Sequence, residues 1–178
     1  METFVDAKPF VPNERFQIER EQANRKLEPA DIDPPIVGLI ESFARFPYCF
    51  TQQCCWGHFV HTGQPDQRGC APLANYTDST DISFQLAYVA LCIEDSPQGR
   101  SLYEDLKSLV RLEPSNIQFG SAEWFWRQQA NSYVLQVEPE RFKHLDRCTV
   151  GIGEALHLEK LRSQVFEELS RIVSRRLL

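Results

Sequence analysis

The stretch Ile82-Ser83-Phe84-Gln85-Leu86-Ala87-Tyr88-Val89-Ala90-Leu91-Cys92-Ile93 decides the fold class. Its first half alternates, with Ile82, Phe84 and Leu86 on one side, the pattern of a strand covered on one face. From Ala87 to Ile93 the run is continuously apolar, which needs cover on both faces. Pro97 and Gly99 break it, and Leu102, Leu106, Leu109 and Val110 then keep helical spacing up to Pro114. A buried strand followed by an amphipathic helix predicts an α/β protein.

Working outward, Ile117–Arg127 and Tyr133–Val137 read as two further strands separated by residues 128–132, a hairpin pattern. Leu158, Leu161, Val165, Leu169, Ile172 and Val173 trace one apolar face of a closing helix of about twenty residues. Toward the N-terminus, Asp33 precedes Pro34 and Pro35 and the apolar stripe Ile36, Val37, Leu39, Ile40, Phe43 and Ala44, so a helix begins there and stops before Pro47. An earlier helix, with Asn13 as its cap, carries Phe16, Ala23 and Leu27 and ends at Pro29. Residues 1–12 read as an extended arm and 61–81 as a long loop rich in Gly, Pro, Asn and Asp, suited to a lid. The expected architecture is a single α/β domain over 1–178, a mixed sheet flanked by helices, with a long C-terminal helix.

The composition agrees. In 178 residues, 42% hydrophobic side chains supply a core, and 25% charged residues are too few for a disordered chain. With 25 acidic against 19 basic side chains the net charge is -6, which disfavours broad contact with nucleic acid. Arg171, Arg175 and Arg176 fall at the end of the last helix, where cations complement the helix dipole. No apolar stretch approaches the roughly 18 residues that span a bilayer, and Glu2 and Asp6 lie where a signal peptide is basic and then apolar. These features predict a cytoplasmic protein without membrane contact, whose six cysteines are free thiols.

The densest chemistry is Phe50-Thr51-Gln52-Gln53-Cys54-Cys55-Trp56-Gly57-His58-Phe59, which reads as a strand bent or bulged at Gly57. Segment 33–59 resembles the opening of the wybutosine-synthesising tRNA methyltransferase family, where a helix leads to an aromatic residue and a turn reading S-S-C-S-G-R. Phe50 and Thr51 match the start, Cys55 the motif Cys and Gly57 its Gly. Gln53 and Cys54 replace the two Ser, and His58 replaces the Arg. The resemblance implies S-adenosylmethionine-dependent methyl transfer to a modified guanosine in tRNA, in a cleft beside Thr51–His58. His58 would then act as a general base or hydrogen-bond donor, and Thr51, Gln53, Cys54, Cys55 and Gly57 would line the site. Cys55 also reads as a small buried residue.

A second class of function stays open: a non-enzymatic module binding a small ligand or a metal. Cys54 or Cys55 with His58, His61 and Cys70 offers thiolate and imidazole ligands. Adjacent strand residues face opposite ways, however, and there is no second Cys-x-x-Cys half, so the pattern predicts no metal. Nucleophilic catalysis by Cys55 would need the distant His144 or His157. Trp124-Phe125-Trp126-Arg127 is the last candidate: Trp124 and Arg127 would stack a base and pair an anion, or the rings would simply fill the core.

Overall fold

A computed structural model describes residues 4–61, 70–73 and 81–177. Most of the expected 61–81 loop therefore lies outside the described residues. In chain order the elements are β1 (Phe4–Asp6), α1 (Phe16–Arg25), α2 (Val37–Ala44), β2 (Cys49–Cys55), β3 (His58–Val60), β4 (Asp81–Gln85) and β5 (Ala87–Ile93). There follow α3 (Pro97–Ser108), β6 (Ile117–Ala122), α4 (Glu123–Gln128), β7 (Ser132–Val137), β8 (Arg147–Gly151) and α5 (Ile152–Arg176).

The α/β architecture and the long closing helix are present, and the strands divide into two antiparallel sheets in place of one mixed sheet. The larger has the order β1-β6-β7-β5-β2 and the smaller β3-β4-β8. Two segments of the chain pass from one sheet to the other. The run Ile82–Ile93 breaks at Leu86, and Cys49–Val60 breaks at Trp56 and Gly57. Because Cys55 pairs with Tyr88 and His58 with Gln85, the two breaks lie opposite each other. Gly57 makes the crossing possible. Its φ is +87°, a left-handed conformation that costs glycine little, and a Cβ there would stand 2.7 Å from the Cβ of Ala87.

One hydrophobic cluster runs through both sheets, joining Phe59, Ile82 and Phe84 of the smaller to Val89, Leu91, Ile93, Leu135 and Val137 of the larger. Helix α5 covers it with Leu158, Leu161, Val165 and Leu169, and α2 adds Ile40 and Phe43. Fully burying each such side chain stabilises the fold by about 1.5–3 kcal/mol. The alternate residues of β5, Ala90 and Cys92, face the other way, toward Phe125 of α4 and Phe16 of α1. This is the two-sided cover that the continuous run requires.

Several elements differ from the sequence reading. The strand expected over Ile117–Arg127 ends at Ala122 and gives way to α4, because a helix turns Phe125 inward and leaves Trp124 62% exposed. Glu123 on that helix pairs with Lys8 at 2.6 Å and with Arg127 at 3.6 Å. Part of the N-terminal arm forms β1, an edge strand against β6. Strand β8 was not anticipated; its alternation of buried Cys148 and Val150 is only five residues long. Helix α5 runs for 25 residues, longer than its apolar stripe. Among the described residues no helix is long and apolar enough to cross a membrane.

Candidate functional site around the Trp56–Gly57 crossing

Strand β2 ends the larger sheet, and its pairing with β5 slips by one residue between Thr51 and Gln53. The sequence reading placed one irregularity at Gly57; the strand has two, this bulge and the crossing at Trp56–Gly57. Along β2, Gln53 is exposed, Cys54 half-buried and Cys55 buried. The Thr51 hydroxyl is buried without a hydrogen-bond partner among the described residues.

Asp33, the residue expected to cap α2, makes no capping bond there. It reaches across to the crossing instead. Its Oδ2 accepts the Trp56 N–H at 2.8 Å and lies 3.2 Å from Nε2 of His58. The Cys55 sulfur accepts the Gly57 N–H at 3.3 Å. Burial pushes the Cys55 thiol up to about 12 and that of Cys54 to about 11, with the Asp33 carboxylate adding to both. On the other side of the imidazole, Cys70 Sγ stands 3.7 Å from His58 Nδ1.

The cation of the site comes from α5. Arg162 is 3% exposed, donates from Nη1 to the Gly57 carbonyl at 2.8 Å, and lies 4.3 Å over the Trp56 ring and 5.1 Å over Phe59. Burial lowers its pKa to about 10, so it remains charged at neutral pH. Glu159 stands 3.9 Å from it and accepts the Leu73 N–H at 2.9 Å. Two buried donors, Arg162 Nε and Trp56 Nε1, have no acceptor among the described residues.

Two cavities adjoin this cluster. One of about 660 Å³ is walled by Trp56, Cys70, Pro72, Glu159, Arg162 and Ser163. The other, about 450 Å³, is walled by Asp33, His58, Val60, Gln85 and Arg147. A regular strand would turn Trp56 to the side opposite Cys55; at the crossing it forms part of the wall of the larger cavity. Of the expected site residues His58 lines the smaller cavity, whereas Thr51, Gln53, Cys54, Cys55 and Gly57 are not among the described walls of either cavity. Trp124 and Arg127 sit on α4, packed against β6 and β7, and are not brought to this cluster. His157 pairs with Glu113 at 2.7 Å, away from Cys55.

The fold has counterparts among solved structures. The chain is similar in fold to the PH1069 protein of Pyrococcus horikoshii. One structure of that protein matches with TM-score 0.53 and 13% identity over 92% of this chain and 94% of the other. A second matches with TM-score 0.50 and 15% identity over 91% and 96%. A hypothetical protein from Aeropyrum pernix also aligns, with TM-score 0.42 and 11% identity over 80% of this chain and 96% of that one. No family model and no curated protein matches the sequence.

Sequence reasoning missed Arg162 and the role of Asp33. The first left a trace, since Arg162 falls four residues after Leu158 and four before Phe166, on the buried stripe of α5. An arginine in that row needs a partner inside the protein. Asp33 left none, because its place before Pro34 and Pro35 reads as a helix cap.

Proposed function

We propose that the chain binds S-adenosylmethionine in the cavity beside Trp56 and Arg162 and serves methyl transfer to a guanosine of tRNA. The observation that carries this reading is the buried Arg162 guanidinium, stacked on Trp56 and tied to Gly57 of the motif that resembles the methyltransferase family. A cavity of about 660 Å³ suits a cofactor-sized ligand. A ligand carboxylate reaching Arg162 Nε, or a ring nitrogen reaching Trp56 Nε1, would supply the missing acceptors, and an unmet buried donor costs about 1–3 kcal/mol. When bound, S-adenosylmethionine supplies a methyl group on a sulfonium. The chain's own part is to hold an anionic group at Arg162 and to exclude water with Trp56, Pro72 and Ser163. The tRNA acceptor rests on the resemblance alone, and the net charge of -6 confines its contact to local basic groups such as Lys160 at the cavity mouth.

Thermal-shift titration with S-adenosylmethionine and S-adenosylhomocysteine tests the binding. At about 100 times Kd a ligand adds about 2.7 kcal/mol, a rise of several degrees for a chain of this size. No rise with either compound at millimolar concentration would remove the reading. A second reading, a ligand-binding module without catalysis, is favoured by His58, which pairs with Asp33 and lines the smaller cavity rather than the one holding Arg162. Stabilisation by both compounds without transfer of a labelled methyl to tRNA would select it.

A further inference from the structure

Asp33, Cys55 and His58 arrive from three different segments: the turn before α2, the end of β2 and the start of β3. Each offers one ligand atom, and these three atoms lie within 4.8 Å of one another. Ligands about 2.0–2.3 Å from a tetrahedral ion stand about 3.3–3.8 Å apart, so side-chain adjustment of at most about 1–1.5 Å would close the set. The sequence argument against a metal is that adjacent strand residues such as Cys54 and Cys55 face opposite ways and that no second Cys-x-x-Cys half is present. The left-handed Gly57 breaks that alternation and turns Cys55 and His58 to one side, and the fold supplies the carboxylate.

We propose that Asp33, Cys55 and His58 form a binding site for one divalent transition-metal ion, with zinc the ion best suited to one carboxylate, one thiolate and one imidazole. The inference goes beyond the adenosyl reading and does not depend on it. The supporting contacts are those a metal site needs. The Trp56 N–H fixes the Asp33 carboxylate at 2.8 Å, and the Gly57 N–H bonds the Cys55 sulfur at 3.3 Å. His58 Nε2 faces Asp33, so binding there places the ring proton on Nδ1, where the Cys70 sulfur stands 3.7 Å away as acceptor. The Cys55 thiol proton leaves to solvent, and Asp33 and the Cys55 thiolate together neutralise the ion's double charge. Three protein ligands leave a fourth position, and the cavity lined by Asp33 and His58 gives it access to water or a small ligand.

The test uses the full chain, treated with chelator, reduced, and titrated with cobalt(II) alone. One equivalent should bind with a thiolate-to-cobalt charge-transfer band and the intense visible bands of a tetrahedral site, and zinc should displace it. X-ray absorption of the zinc form should show one sulfur at about 2.3 Å and nitrogen or oxygen neighbours at about 2.0 Å. Cys55→Ser should abolish the charge-transfer band. His58→Ala, at a half-buried position that leaves the core intact, should keep the folded circular-dichroism spectrum and weaken binding at least tenfold. Cys70→Ser should retain the band. Absence of stoichiometric cobalt binding overturns the proposal, as does a band that survives Cys55→Ser but is lost in Cys70→Ser.

Discussion

The backbone carbonyl of Gly57 accepts a hydrogen bond from Nη1 of Arg162 at 2.8 Å, across 105 positions of sequence. This one contact ties the crossing between the sheets to the closing helix. It also fixes a cation beside the Cys54–His58 cluster.

Removing that cation should loosen the crossing. Arg162→Met keeps a linear buried stem but leaves the Gly57 carbonyl without its donor and Trp56 without its stacked charge. Bonds to charged groups contribute about 1.5–3 kcal/mol, so a loss of about 2–3 kcal/mol in urea denaturation is expected. Arg162→Lys should recover only part, because an ammonium has neither the planar fork nor the stacking face of a guanidinium. Full recovery by Lys would show that charge alone matters.

Gly57→Ala should be more damaging than an exposed glycine substitution. It forces φ +87° on an alanine and brings its Cβ to 2.7 Å from that of Ala87. Each effect costs about 1–3 kcal/mol. Pairing it with Ala87→Gly removes the 2.7 Å contact and leaves the backbone strain and the 3.1 Å approach to the Ala87 Cα, so a double-mutant cycle should return a favourable coupling of about 1 kcal/mol. Simple additivity would mean the two breaks do not bear on one another.

Much of the fold was legible because it depends on hydrophobic period. The stripes of α2, α3 and α5 and the run Ile82–Ile93 each appear where a packed face demands them. The division into two sheets was not legible. The alternation through Leu86 does not change when the chain passes from one sheet to the next, and only the pairing of distant strands reveals it. Trp124-Phe125-Trp126 misled for a related reason: strand propensity belongs to rings packed on a sheet, and here only Phe125 is fully packed. In the site, the local cluster Cys54–His58 was visible as a motif, while Asp33 and Arg162 reach it only through tertiary structure.

Stability should fall at alkaline pH through the buried thiols. Cys49 is completely buried, and burial raises its pKa to about 12. Cys148 is raised to about 12 in the same way, and Cys92 is raised too. In the unfolded chain a thiol loses its proton near pH 8.5. Below that pH both states hold the proton and nothing changes. Between about 8.5 and 12 the unfolded state holds fewer, so each such thiol lowers stability by up to about 1.4 kcal/mol per pH unit. Urea midpoints at about pH 7.5, 9 and 10.5 should therefore decline, and Cys49→Ala, less stable at neutral pH, should decline less steeply. A parallel decline in the variant would place the titrating groups elsewhere.

Trp56 offers a direct reporter of what enters the larger cavity. The chain has three tryptophans, and Trp124 and Trp126 both lie on α4, away from the crossing. Trp124→Phe with Trp126→Phe leaves Trp56 as the single indole, set between the Arg162 guanidinium at 4.3 Å and Phe166 at 4.9 Å. A ligand that meets the unpaired indole N–H or draws on Arg162 must change its emission. Titration with S-adenosylhomocysteine should give a saturable change with the same Kd as the thermal shift. Adding Arg162→Met should weaken that Kd at least tenfold, about 1.4 kcal/mol. A rise in melting temperature with unchanged Trp56 emission would put the ligand elsewhere. The cavity of about 510 Å³ beside β1 and β6, with Lys107, Arg111 and Lys143 in its wall, would then be the place to look.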